Sequence, residues 1–174
     1  MASPSLEPSE QLWNASFDTY YDAFFEEMVA DALVARWGRF DDFTKVIVAV
    51  TAAGSAISGW TLWGRPGWKI IWLMCSGIAA FVSITNTALG VQERIKAHSD
   101  DKRRFVQLRT NLETFRYRLQ AEQFNSDKFN REFLDFRKTY TDNISLLKND
   151  TFRTRRFKIK VQTQLNEKLA DQIE

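Results

Sequence analysis

A single cysteine, Cys75, and a single histidine, His98, stand in a chain of 174 residues. One thiol cannot form an intramolecular disulfide and offers a zinc ion no thiolate set. One imidazole leaves no His pair, no Cys/His set and no Ser/His/Asp order to assemble, and none of the seven glycines belongs to a phosphate-cradling loop. The sequence therefore predicts no enzyme, no bound metal and no cofactor. The three prolines fall at Pro4, Pro8 and Pro66, two in an N-terminal lead-in and one in a turn. A strong excess of one charge is missing as well, with 24 Lys+Arg against 22 Asp+Glu.

That balance conceals segregation. Residues 1–44 hold two basic residues and nine carboxylates, a net of about −7, and the stretch from Gln92 onward nets about +6. The acidic part reads as an amphipathic helix from Leu12 to Trp37 with Ser9 as its cap, its aromatic side carrying Trp13, Phe17, Tyr20, Tyr21 and Phe24. An anionic leaflet would repel it, so it packs on protein, with the basic tail as partner. The run Arg153, Arg155, Arg156, Lys158 and Lys160 is the most basic part of that tail. It suits an acidic helix better than nucleic acid, because no base-reading motif accompanies it.

Two stretches lack charge altogether, Val46 to Gly64 and Ile70 to Gln92. A bilayer core of about 30 Å takes about 20 apolar residues, and both stretches qualify. Gly64, Pro66 and Gly67 make a tight connection flanked by Trp60, Trp63, Trp68 and Trp72. Lys and Arg are concentrated outside the connection, which sets both termini in the cytosol. The expectation is an all-α, multi-pass inner-membrane protein contacting lipid: an acidic N-terminal helix region over 1–44, a two-helix transmembrane hairpin over 45–92, and a helical tail over 93–174. Thr51, Ser55, Ser58, Ser76, Ser83, Asn86 and Thr87 form small, polar stripes suited to close helix contact or to lining a pore.

In the tail, Phe105, Leu108, Leu112, Phe115 and Leu119 step by three and four, the seam of a short coiled coil. The helix is expected to run unbroken from the second apolar stretch into this seam. A second segment starts near Ser126 or Asp127 and carries Phe129, Phe133, Phe136, Tyr140, Ile144 and Leu147. A third carries Phe157, Val161, Leu165, Leu169 and Ile173. Narrow, Phe-rich stripes call for a covering partner, and self-association is the economical one; a monomeric bundle of the tail helices with the acidic helix is the other. His98, beside Ser99, Asp100 and Asp101, reads as a solvated residue at a helix surface.

This order of parts resembles the SLATT family of bacterial two-transmembrane proteins between about Asp31 and Leu147. The likeness runs through Phe40-Asp41-Asp42-Phe43-Thr44-Lys45, the Trp-rich connection, Ile84 to Gly90, Val91 to His98 and the Phe105 to Leu119 stripe. It implies a pore-forming or membrane-disrupting homo-oligomer in antiphage defence, triggered by a cytosolic sensor protein or a nucleotide signal, and it offers no catalytic residues. The segment after about Asp150 lies outside the likeness. The other function the residues suggest is a non-conducting anchor or scaffold whose helical tail recruits a partner.

Overall fold

The computed structural model describes the backbone of residues 7–61, 66–147 and 149–171, and the side chains of 7–51, 70, 74, 77–85, 87–147 and 149–171. The described residues form five helices: α1 (Pro8–Thr61), α2 (Pro66–Ala88), α3 (Val91–Ala121), α4 (Ser126–Ser145) and α5 (Arg155–Ala170). The chain is all-α.

Local chemistry sets the breaks. Pro8 opens α1, one residue ahead of the expected Ser9 cap. Its missing N–H costs nothing in the first turn, and the Glu7 carbonyl accepts from the Gln11 amide at 3.0 Å. Helix α1 then continues for 54 residues, so the acidic helix and the first apolar stretch are one element. The expected continuity into the tail fails at Gly90, which adopts the left-handed φ of 57° that favours glycine. Its amide donates to the Thr87 carbonyl at 3.1 Å, and its own carbonyl accepts from Arg94 at 3.0 Å, ending one helix and starting the next. Asn125, rather than Ser126 or Asp127, caps α4 by accepting from the Lys128 amide, and Thr154 caps α5 by accepting from Phe157.

Two compact units result: Met1–Leu33 with His98–Glu174, and Val34–Ala97. In the first of these units the acidic helix and the tail share one body. In that first unit, α1 buries Leu12, Ser16, Thr19, Ala23, Glu26, Ala30 and Leu33, alternating steps of four and three. Helix α3 buries His98, Asp101, Phe105, Leu108, Leu112, Phe115 and Leu119 in the same rhythm. These are coiled-coil registers, three heptads long on each helix. The polar members in α1 keep their hydrogen bonds, Ser16 donating to the Trp13 carbonyl at 2.8 Å and Thr19 to Ala15 at 3.1 Å, so their burial leaves no donor unsatisfied.

Helices α4 and α5 complete the bundle. Leu108 and Leu112 pack with Tyr20, Phe24, Phe105 and Leu165; Phe115 and Leu119 pack with Leu12, Phe129 and Phe133; Val29 and Leu33 pack with Val161. The five residues read as a self-association seam, Phe105 through Leu119, are therefore core within one chain. Their stripe is covered by α1, α4 and α5, whose own apolar faces needed the same cover.

The second unit holds buried Trp37, Asp41, Thr44 and Val91. Phe40 meets Trp37 edge-on at 6.0 Å, the Arg94 guanidinium stacks over the same indole at 5.2 Å, and Lys45 pairs with Asp41 at 2.5 Å. The multi-pass inner-membrane expectation, with both termini cytosolic, is overturned here: among the described residues no helix is long and apolar enough to cross a membrane. Helix α1 carries charge as far as Lys45, and the second half of α2 sets Ser83, Thr85 and Thr87 among its apolar residues.

Candidate functional site

The seam of α3 ends in a polar clasp. His98, 5% exposed, places Nε2 2.9 Å from Asp150 Oδ2 and Nδ1 3.5 Å from Asp101 Oδ2. Asp101 also pairs with Arg104. Asp150 organises the segment leading to α5, its Oδ1 accepting from the Phe152 amide at 2.7 Å and its carbonyl from Arg153 at 3.1 Å. The imidazole thus ties α3 to a residue 52 positions away. It is neither solvated nor at a surface, contrary to the sequence expectation. Among the described residues no group of three or more His, Cys, Asp or Glu could hold a metal ion.

The hydrogen bond to Asp101, followed by that to Asp150, raises the His98 pKa above the ordinary histidine value, against the opposing effect of burial. Only the imidazolium can donate to both carboxylates; the neutral ring turns a lone pair toward one of them. Because the folded pKa lies above the unfolded value of about 6.5, the clasp contributes fully below that value and loses its contribution as pH rises through the folded pKa. Between pH 6 and pH 9 the wild-type chain should lose about 1–2 kcal/mol more stability than His98→Gln. Urea unfolding of both at the two pH values measures this; parallel pH profiles would mean the ring titrates without consequence.

The acidic and basic segments do meet. Arg153 donates to both Glu26 oxygens at 2.6 Å, Arg109 to Glu27 at 2.6 Å and Lys102 to Asp31 at 2.7 Å. Burial pushes the Glu26 carboxyl above its ordinary range even though Arg153 pulls it down. Tyr140 is raised to about 12 by burial and by Asp22 and Glu26. Of the basic run, Arg153 alone makes an ion pair with α1 among the described residues, with Lys158 also favouring the Glu26 charge; Arg155, Arg156, Lys158 and Lys160 are exposed.

At the other end of the bundle α1 and α3 build an aromatic cleft of about 420 Å³, lined by Trp13, Phe17, Tyr20, Glu113, Arg116 and Tyr117, with Gln120 and Leu169 completing it. Helical spacing creates it: residues 13, 17 and 20 share one face of α1, and 113, 116, 117 and 120 one face of α3. The Arg116 guanidinium lies 4.0 Å from the Trp13 ring centroid, 5.0 Å from Phe17 and 5.7 Å from Tyr20, a cation–π stack. Its Nε is buried without a hydrogen-bond partner. Burial lowers its pKa from the ordinary arginine value, which still leaves it charged.

Known families, curated proteins and solved structures supply no match to this chain.

Of the small polar stripe, Thr51 is half-buried and donates to the Ile47 carbonyl at 2.8 Å. Thr87 is exposed and donates to Ser83 at 3.1 Å. Ser83 lines an open cleft of about 320 Å³ with Thr44, Lys45, Val48, Ala49 and Val82. The side chains of Ser55, Ser58, Ser76 and Asn86 lie outside the described residues. The sequence places His98 beside Asp101 but does not reveal its pairing with Asp150, and it does not mark the Arg116 cleft. A partial signal for both was present, because extending the three-four register of Phe105 backward reaches Asp101 and His98, and Arg116 stands three residues after Glu113 on the aromatic-facing side.

Proposed function

We propose that the chain is a non-enzymatic helical scaffold that assembles with a second copy of itself through α2. The observation that carries this reading is a row on α2, Ile70, Met74, Ile78, Phe81 and Ile84, whose members are 54–71% exposed. From residue 70 to 88 this helix has no charged residue. An exposed apolar row of this kind marks an association surface.

Charge selects the occupant. A charged helix face would be desolvated against this row without compensation, and the outward faces of α3, α4 and α5 are rich in such residues, among them Arg103, Arg131, Lys138 and Lys168. The same row on a second copy is uncharged and self-complementary under a two-fold axis. Hydroxyls beside it resist nothing: Thr85 and Thr87 already donate to the Phe81 and Ser83 carbonyls at 2.8 and 3.1 Å, so covering them leaves no donor unsatisfied.

The SLATT likeness is one of helix order, and the leak-forming role it implies requires passage through a bilayer; assembly through α2 does not. Sedimentation equilibrium of the full chain should show self-association at micromolar concentration. Ile78→Glu with Phe81→Glu should weaken it by at least about a hundredfold, since each buried apolar side chain contributes about 1.5–3 kcal/mol and each new carboxylate adds a desolvation cost. Both positions are exposed, so helicity and unfolding temperature should hold. A wild-type chain that sediments as a monomer at 100-fold higher concentration, about 100 µM, would refute the scaffold reading.

A further inference from the structure

The Arg116 cleft holds a cation that Glu113 favours from a distance but that no described carboxylate contacts directly. Glu113, on the same helix face, pairs with Arg109 at 3.9 Å, and Arg116 takes part in no ion pair among the described residues. Its guanidinium face is occupied by Trp13 and its Nε is buried, which leaves the edge formed by the two Nη groups as the recognising surface. Stacking on a ring holds the guanidinium plane at low entropic cost, and a held plane is what bidentate recognition of a carboxylate requires. Phe17 is 40% exposed and Tyr117 is 68% exposed, so two rings at the mouth remain accessible, although Arg116 lies over the Phe17 ring at 5.0 Å.

We propose that this cleft binds a small aromatic carboxylate, its anionic group on the Arg116 edge and its ring against the exposed parts of Phe17 and Tyr117. The volume fits: about 420 Å³ lies in the range of small-molecule sites, roughly 300–1,000 Å³. The walls set the class. Four aromatic rings and Leu169 favour a planar apolar body, and Gln120 offers one further polar contact. Glu113 makes the cleft hostile to multiply charged anions, because like charge in a half-buried site is disfavoured, and this selects a carboxylate over a phosphate ester. The site needs only α1, α3 and α5 of one chain, so it does not depend on assembly through α2.

Isothermal titration of the full chain with indole-3-acetate tests this, together with adenosine monophosphate and acetate. Indole-3-acetate should bind one per chain with a Kd on the order of 100 µM, and acetate, which lacks the ring, should give no saturable heat. Arg116→Met keeps the packed stem and removes the charge, so affinity should fall at least about tenfold. Because that variant also removes an unsatisfied buried nitrogen, its unfolding temperature should stay level or rise, which separates loss of binding from loss of fold. Trp13→Phe should erase the one indole N–H resonance that shifts on titration. No saturable heat at millimolar indole-3-acetate, or binding undiminished in Arg116→Met, overturns the site. Adenosine monophosphate binding as tightly as the indole acid overturns the choice of carboxylate.

Discussion

Replacing Phe115 by alanine should lower the unfolding free energy by about 3–5 kcal/mol, the usual cost of emptying a buried phenylalanine site. Phe115 has no exposed surface. Its ring stands 5.8 Å from Phe129, 6.3 Å from Phe133 and 5.6 Å from Phe136, so α3 and α4 are joined at this end of the bundle through it. Three aromatic neighbours cannot all collapse into the space it leaves, and geometry-dependent ring contacts would be lost besides. Phe115→Leu should cost less than half as much, because most of the volume stays filled. Chemical denaturation of the three proteins decides it. An alanine variant within 1 kcal/mol of wild type would show that the α3–α4 contact is not the packed core described above.

The second large effect concerns charge. Arg153→Met should destabilise the chain by about 3 kcal/mol, because it strands the Glu26 carboxylate in the seam of α1. Glu26 is 7% exposed, and its pKa is already raised by burial, with Arg153 the main opposing influence. Without the guanidinium the carboxyl pKa rises further. A buried carboxyl of raised pKa costs stability above that pKa and nothing below the unfolded value, so the deficit should shrink on acidification toward pH 4. The pair itself is a poor source of net stability, since desolvating two ions offsets their attraction. Glu26→Leu combined with Arg153→Met should therefore recover to within about 1 kcal/mol of wild type. If the double variant is as unstable as Arg153→Met alone, the cost arises from lost packing around Arg153 and not from a stranded charge.

The polar seam explains what sequence reading reached and what it passed over. Phe105, Leu108, Leu112, Phe115 and Leu119 announce their register by apolarity alone, and α4 and α5 appear from Phe129, Phe133, Val161 and Leu165 for the same reason. Ser16, Thr19, Ala23 and Glu26 occupy the equivalent register on α1 yet carry no apolar signal. The aromatics Phe17, Tyr20, Tyr21 and Phe24 mark the apolar side of α1, and of these Tyr20 and Phe24 are buried while Phe17 is 40% exposed. His98 and Asp101 are visible in the sequence but misread: a histidine flanked by acids reads as solvated until its partners are known, and one of those partners is Asp150. The charge segregation was legible in bulk, whereas the choice of Arg153 over its four basic neighbours was not.

The amino-acid sequence alone determined that this protein is helical, where its helices break, and that its chemistry excludes disulfides and thiolate metal sites, because periodicity, capping and composition act within a few residues. Tertiary structure decided which stripes became core and which row on α2 stayed open. It also decided that Glu26 would meet Arg153 across 127 positions. The reason is physical: a polar side chain can be buried only where a distant partner satisfies it, and an apolar one stays exposed only where no other helix arrives.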